Sequence, residues 1–348
     1  MRFEHVAIEA FTHLLPDEVI PSAEIEARLR PVYERLALPE GRLELMTGIR
    51  ERRFFPRGTK PGTVSGKTVV KALVQAGVRP DEVGCLIHGS VCRDQLEPAT
   101  ASAVHAAAGL PPECMAFDVS NACLGLLNGA ILIAEMIELG RIRCGVVVGT
   151  EDGRGLVEGT IDTLLGDPHT DRAAMKAAFA SLTIGSASAA IVLTHRDRSR
   201  TGHRLLGGVC RADTAAHTLC EGGVEAGQYG DDRPRMQTDS EALLHAGVNL
   251  AERTWVDCRK ELGWTNAMVT KAFTHQVGRA HRKLLYDRLG LDPAIDFATV
   301  DWLGNTGAAA LPSAAALGIE QGHLVKGDRV ALLGIGSGLH SVMLGLEW

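Results

Sequence analysis

Two stretches of this chain carry the same pattern at an offset of 183 residues, measured from Asp118 to Asp301. No other feature limits the fold as much. The first stretch, residues 114–150, runs through Phe117-Asp118-Val119-Ser120-Asn121-Ala122-Cys123 into a long apolar helix pattern from Leu124 to Leu139, then Gly140 and the strand-like Val146-Val147-Val148-Gly149. The second, residues 297–336, runs through Phe297-Ala298-Thr299-Val300-Asp301 to Gly304-Asn305-Thr306, an Ala/Leu-rich helix pattern, then Gly327 and Ala331-Leu332-Leu333-Gly334. Each reads as strand, tight turn, buried helix, glycine, strand. The preceding units match as well, with Cys85-Leu86-Ile87-His88 in one and Ala272-Phe273-Thr274-His275 in the other. The pattern predicts an α/β protein of two similar halves about a pseudo-twofold axis, residues 1–165 and 166–348. In that arrangement the turns holding Cys123 and Asn305 meet at the centre.

Composition excludes several classes. With 36 basic and 42 acidic side chains the net charge is −6, which argues against a general nucleic-acid binder. The apolar stretch near 122–139 is broken by Asn128, Glu135 and Glu138, so it reads as a core helix and not a membrane span. Met1 to His5 alternates like a strand and lacks the apolar block of a signal peptide. None of the eight cysteines has C-x-x-C or metal-ligand spacing, so reduced thiols in a cytoplasm and no metal are expected. Two less regular regions stand out. Glu151 to Ala180 reads as an insertion over the core. Ala216 to Asp239, with Gly222-Gly223, Gly227 and Asp231-Asp232-Arg233-Pro234, reads as a polar loop. Both fit lids or substrate walls, and plain surface decoration fits them equally.

Cys123 is the most informative single residue. It falls at the first turn of the buried helix, where unpaired N–H groups and the positive end of the dipole favour a thiolate. His275 ends a strand, and Asn305 lies in a glycine-rich turn before the second buried helix. Singly, a structural histidine and a turn asparagine are the plainer readings. Together, in matching places of a duplicated fold, they form a nucleophile with two hydrogen-bond donors for an oxyanion.

The chain resembles the thiolase superfamily, in its ketoacyl synthase III-like branch. The likeness rests on Thr47-Gly48-Ile49-Arg50-Glu51-Arg52-Arg53, the Asn121-Ala122-Cys123 turn, Gly304-Asn305-Thr306-Gly307 and the closing Gly334-Ile335-Gly336-Ser337-Gly338. It implies a five-layered αβαβα fold and a Cys123, His275, Asn305 triad that performs Claisen condensations on acyl thioesters. Within the branch the chain is most similar to members that join two long-chain acyl-CoA molecules head to head into a β-keto acid. Ser90-Val91-Cys92-Arg93-Asp94-Gln95-Leu96-Glu97-Pro98 carries that closer likeness. Glu97 alone reads as a surface carboxylate before a proline. The resemblance makes it the general base that removes an α-proton, supplied across the interface of a homodimer. An apolar acyl tunnel around it would raise its pKa.

The resemblance also implies an oxyanion hole from the backbone N–H groups of Cys123 and of the Gly336-Ser337-Gly338-Leu339 turn. Coenzyme A thioesters are implied as substrates, with no cofactor. Arg42 and Met46 stand where related enzymes carry a Trp and an Arg that grip the adenine. Arg50, Arg52 and Arg53 are the remaining CoA candidates, although such a run fits an ion-paired surface equally well. Gly185-Ser186-Ala187-Ser188 is a small-residue strand facing the core or an acyl tunnel. Two rival functions stay open. One is a decarboxylating 3-oxoacyl-[acyl-carrier-protein] synthase III. The other is a non-condensing acyl-transfer or scaffold protein.

Overall fold

The computed structural model describes residues 1–223 and 234–348. Part of the polar loop expected at Ala216–Asp239 therefore lies outside the described residues. Nine strands form the main sheet: β1 (Val6–Leu14), β2 (Cys85–His88), β3 (Met115–Asp118), β4 (Cys144–Glu151), β5 (Ala187–His195), β6 (Arg204–Ala212), β7 (Lys271–Thr274), β8 (Arg329–Gly336) and β9 (His340–Glu347). Their spatial order is β7-β8-β9-β6-β1-β5-β4-β2-β3. The halves join edge to edge through the single pair Ala7–Arg204 of β1 and β6.

The duplication is visible in strand direction. In the first half β2 runs parallel to β4, β4 antiparallel to β5, and β5 antiparallel to β1. In the second half β7 runs parallel to β8, β8 antiparallel to β9, and β9 antiparallel to β6. Where the first half has β3 beside β2, the second has only a parallel bridge from Ala272 to Asp296. The strand expected at 297–301 is thus reduced to that bridge and a short helix, Val300–Leu303. The strand pattern also changes over between β5 and β6, later than the expected division at 165/166, because β5 pairs with β1 and β4.

The longer helices are α1 (Pro61–Ala76), α2 (Thr100–Ala107), α3 (Gly125–Glu138), α4 (Arg154–Gly166), α5 (Arg172–Leu182), α6 (Ser240–Leu262), α7 (Arg279–Leu289) and α8 (Ala310–Glu320), and all but α4 and α5 pack on the sheet layers. Leu126, Ile133 and Ile137 of α3 and Ala309, Ala314 and Ala316 around α8 share one apolar core with Ile87 and Val147 of the first half and Leu332 and Leu344 of the second. A separate core joins α1 and α2 to the outer face of the first half, through Leu73, Val104, Leu86 and Val146. A third joins α6 and α7 to the outer face of the second, through Trp255, Leu285 and Leu333. The layers are therefore helix, sheet, helix, sheet, helix.

The 151–180 region is more regular than expected. Helices α4 and α5 pack on the short helices of residues 22–47, with Val157, Ile161, Phe179 and Leu182 meeting Ile25, Leu29 and Val32. This is a cap with its own apolar core. The first strand begins at Val6, and Arg2 makes only an isolated bridge to Gly207.

Candidate active site

Cys123 sits in a 3₁₀ turn, Ala122–Leu124, that leads directly into α3. No side chain caps either start, and the Leu124 N–H donates to the Asn121 carbonyl at 2.9 Å, so the turn is held by its own backbone. Ala122 is held at φ +45°, a conformation that costs an L-residue roughly 1–2 kcal/mol. The turn is fixed from below by a backbone contact between Gly125 and Gly89 that leaves no room for a side chain on either residue. From the other half, the turn packs against β8 and against residues 307–309. The backbone N–H groups of Cys123 itself and of Ser337, just past β8, both favour negative charge on the sulfur. Two of the expected oxyanion donors thus converge on the thiol. Leu339 does not, because its N–H donates to the Asp213 carbonyl at 3.3 Å. Gly338, at φ +114°, turns the chain toward His340.

His275 follows β7, and its backbone N–H donates to Leu333 of β8 at 3.1 Å. The parallel pairing of these two strands carries His275 and Ser337 to the same end of the sheet. The imidazole is buried and its Nδ1 has no hydrogen-bond partner. Gln276 fixes the segment that leads to Asn305. Its Nε2 donates to Phe297 at 2.8 Å, and its Oε1 accepts from the N–H groups of Thr299 at 2.7 Å and Val300 at 2.9 Å. Asn305 is then held by its backbone, with its N–H on Thr183 and its carbonyl on Gly185, both at 2.9 Å. Its side-chain Oδ1 accepts from Gly307 at 3.0 Å, which fixes the amide and leaves the NH₂ free to donate. Gly304 has φ +68°, and a Cβ there would lie 2.6 Å from the Thr183 carbonyl, so the turn requires glycine.

Burial decides the ionisation of these groups. The Cys123 thiol is pushed up to about 12, first by desolvation and then by the Glu151 and Cys220 charges, while the two N–H groups pull it down. The helix start therefore does not by itself bring the thiol down: desolvation outweighs the dipole's fractional charge. His275 is pushed down to about 3, again by burial first and by nearby His281 second. At neutral pH the pair is thiol and neutral imidazole, and not an ion pair.

Of the three arginines expected near CoA, Arg52 is excluded. It lies in the short strand Glu51–Phe54 paired with Glu18–Pro21, and strand alternation turns it inward. It is fully buried without a carboxylate, and its guanidinium donates to Ser22 Oγ at 3.0 Å and the Leu182 carbonyl at 3.0 Å. Desolvation lowers it to about 10. A Cβ at Gly304 would lie 3.1 Å from its own Cβ, so Arg52 supports the Asn305 turn from behind. Arg53 donates to Pro16 at 3.0 Å with its guanidinium 5.9 Å from the Trp302 ring centre, and Arg50 is exposed beside Glu51.

Glu97 is exposed in the single chain, on the loop between β2 and α2. The apolar surroundings expected for it are not supplied by its own chain. The loop is nevertheless tied down. Asp94 accepts from Gly62 at the start of α1 at 2.7 Å, and its own N–H donates to Thr100 at 3.1 Å. Asp118 accepts from Thr100 at 2.9 Å and Ala101 at 2.8 Å.

Sequence reasoning missed Glu151, the last residue of β4. It is buried, its charge acts on Cys123, and burial raises its own pKa. The available signal was a lone carboxylate closing an otherwise uncharged, wholly buried strand. Among the described residues no cluster of His, Cys, Asp or Glu could hold a metal, and no helix is long and apolar enough to cross a membrane.

Two matching α/β halves, with the Cys123 turn of one packed on the turn that follows Asn305 in the other, define the thiolase superfamily. Residues 46–153 match the thiolase N-terminal domain, and residues 259–348 match the C-terminal domain of 3-oxoacyl-[acyl-carrier-protein] synthase III. An acyl-CoA:acyl-CoA alkyltransferase of Shewanella oneidensis is 39% identical, covering 100% of both chains. The cysteine-to-serine form of Xanthomonas campestris OleA, solved with lauric acid and lauroyl-CoA, superposes with a TM-score of 0.93 at 35% identity, over 99% of this chain and 100% of the other. A glutamate-to-alanine form of the same OleA also gives 0.93 at 35% identity, over 100% and 99%. The chain belongs to the OleA-type acyl-CoA:acyl-CoA alkyltransferase family.

Two outcomes follow. Alkylation of Cys123 by iodoacetamide in the free enzyme should accelerate steadily from about pH 7 to about pH 10; a plateau near pH 8 would contradict the burial account. In urea unfolding, Arg52→Ala should lose roughly 2–4 kcal/mol and Arg50→Ala less than about 0.5. Equal stability of the two variants would contradict the inward placement.

Proposed function

We propose that this chain condenses two long-chain acyl-CoA molecules head to head, without decarboxylation, through an acyl-Cys123 intermediate. The observation that carries the reading is a cysteine turn on which the Asn305 turn packs from the opposite half, with the backbone N–H groups of Cys123 and Ser337 favouring negative charge at the sulfur. Full-length identity of 39% to an acyl-CoA:acyl-CoA alkyltransferase supports it.

In the first half-reaction, Cys123 gives up its proton as it attacks the thioester carbonyl of one acyl-CoA. The N–H groups of Cys123 and Ser337 take the developing oxyanion. The tetrahedral species collapses, the C–S bond to CoA breaks, and CoA leaves as the thiol with that proton. The second acyl-CoA then binds with its thioester oxygen toward His275 and Asn305. A neutral imidazole and an amide NH₂ suit this task, since each donates without carrying charge into a buried site. Glu97 takes the α-proton, the resulting carbanion attacks the acyl-Cys123 carbonyl, and a C–C bond replaces the C–S bond. The Cys123 sulfur recovers a proton from Glu97. The product is a β-ketoacyl-CoA, which water converts to the β-keto acid and CoA.

Glu97 is assigned by position along the chain. The glutamate and the cysteine altered in the two OleA forms are separated by the same number of residues as Glu97 and Cys123 here. Exposure supports delivery from a second copy. Leu96 and Val91 are 93% and 56% exposed on the Glu97 loop, and β3, at the end of the sheet, has an open edge with Met115 exposed beside it. Such an edge is a ready surface for symmetric pairing. Arg50 and Arg53 remain the CoA-facing arginines in this reading. Eight free cysteines fit a reducing cytoplasm.

Purified enzyme given one acyl-CoA alone should release CoA and form a long β-keto acid or its ketone, identified by mass spectrometry. A strict requirement for a malonyl thioester with CO₂ release would overturn the reading in favour of a decarboxylating synthase. Glu97→Ala should lose condensation by at least about 100-fold while a stoichiometric burst of CoA from Cys123 acylation persists. Loss of the burst together with turnover would remove Glu97 from its role.

A further inference from the structure

We propose that Glu151 is a positioning residue that anchors the root of the Glu97 loop to the core of its own subunit, so that the loop is presented at a fixed height to the partner's site. The inference rests on Glu97 being the base. Glu151 closes β4 at the centre of the molecule, and its carboxylate is buried. Among the described residues it forms no ion pair with Lys or Arg. A carboxylate desolvated without a cation is unfavourable unless N–H groups compensate it.

Three do, and they come from two separate parts of the site. Oε1 accepts from Val91 N–H at 3.0 Å and Oε2 from Cys92 N–H at 3.2 Å, which are the first residues of the loop carrying Glu97. Oε1 also accepts from Ala308 N–H at 3.4 Å, at the start of the helical run that follows Asn305. Residues 307–309 are the ones that pack on the Cys123 turn. The next residue strengthens the tie. Asp152 donates its N–H to Cys92 Sγ at 3.4 Å, and the Cys92 thiol lies 3.7 Å from the Asp152 carbonyl oxygen. One buried side chain therefore ties the asparagine turn to the root of the base loop. None of the proposed chemical steps uses it.

The geometry separates the two half-reactions. Acylation needs Cys123 and its N–H donors, which β8 and α3 hold without Glu151. Condensation also needs the base loop at a fixed height above the thioester. In Glu151→Gln one amide oxygen still accepts, but the NH₂ faces a backbone N–H and must turn away, so one anchor is lost.

The test compares wild type, Glu151→Gln, Glu151→Asp and Glu97→Ala with one acyl-CoA. CoA burst and product formation are followed separately, and hydrogen–deuterium exchange reports on residues 91–99. The Gln variant should acylate no more than about threefold slower than wild type, or faster because the charge that raises the Cys123 thiol is gone, and lose condensation by at least about tenfold, with faster exchange confined to the loop. The Asp variant keeps the charge with shorter reach, so it should show the same split to a smaller degree, and it serves as the test if the Gln variant does not fold. A parallel fall in both steps, or no change in either, overturns the proposal. Condensation lost in Glu97→Ala but kept in Glu151→Gln disproves the positioning role alone. Condensation kept in Glu97→Ala disproves the base assignment on which it rests.

Discussion

The site depends on two helices that have apolar neighbours on nearly every side. α3 and α8 lie between the two halves of the sheet, and Ala310 through Gly318 are buried without a break. A helix buried all round cannot turn to suit its first residue, so its N-terminal turn is fixed by packing and not by a cap. That is why neither buried helix start has a side-chain cap, and why Ala122 can be kept at a positive φ. The strain at Ala122 is small beside the burial of Leu126, Leu127, Ile133 and Ile137, each contributing about 1.5–3 kcal/mol.

The same burial sets the chemistry. A dry centre pushes the thiol up and the imidazole down, so the resting site carries no thiolate–imidazolium pair. Hydrogen bonds from backbone N–H groups and a neutral amide are the means left to stabilise charge, and they act on oxyanions that exist only during reaction. Charges that the reaction needs permanently must come from the surface. Glu97, the proposed base, is exposed on its own chain and tied at the root of its loop to buried Glu151.

Much of this was legible in the sequence. The repeated strand–turn–helix pattern marked Cys123 and Asn305 as equivalent turns, and the offset units placed His275 at a strand end. Residues decided by distant partners were not legible. Arg52 looked like its neighbours Arg50 and Arg53, yet pairing with residues 18–21 turned it inward. Leu339 looked free to donate until Asp213 met it across the chain. The strand pattern changes over between β5 and β6, beyond α4 and α5, which form a separate cap that strand and helix periodicity do not mark. Glu151 gave only a carboxylate at the end of a buried strand, and its partners lie some 60 and 157 residues away. The ionisation of Cys123 could not be read from the helix start alone, because depth in the core outweighs the local dipole.

The central claim is that Cys123 of one subunit works with Glu97 of its partner. Mixed dimers of Cys123→Ala and Glu97→Ala subunits, neither active alone, test it directly. Supply across the interface gives each mixed dimer one complete site, so mixing should restore condensation of acyl-CoA to about half the wild-type activity per mixed dimer. Mixed dimers that form and remain inactive would contradict it, since they would place the base and the nucleophile on the same chain.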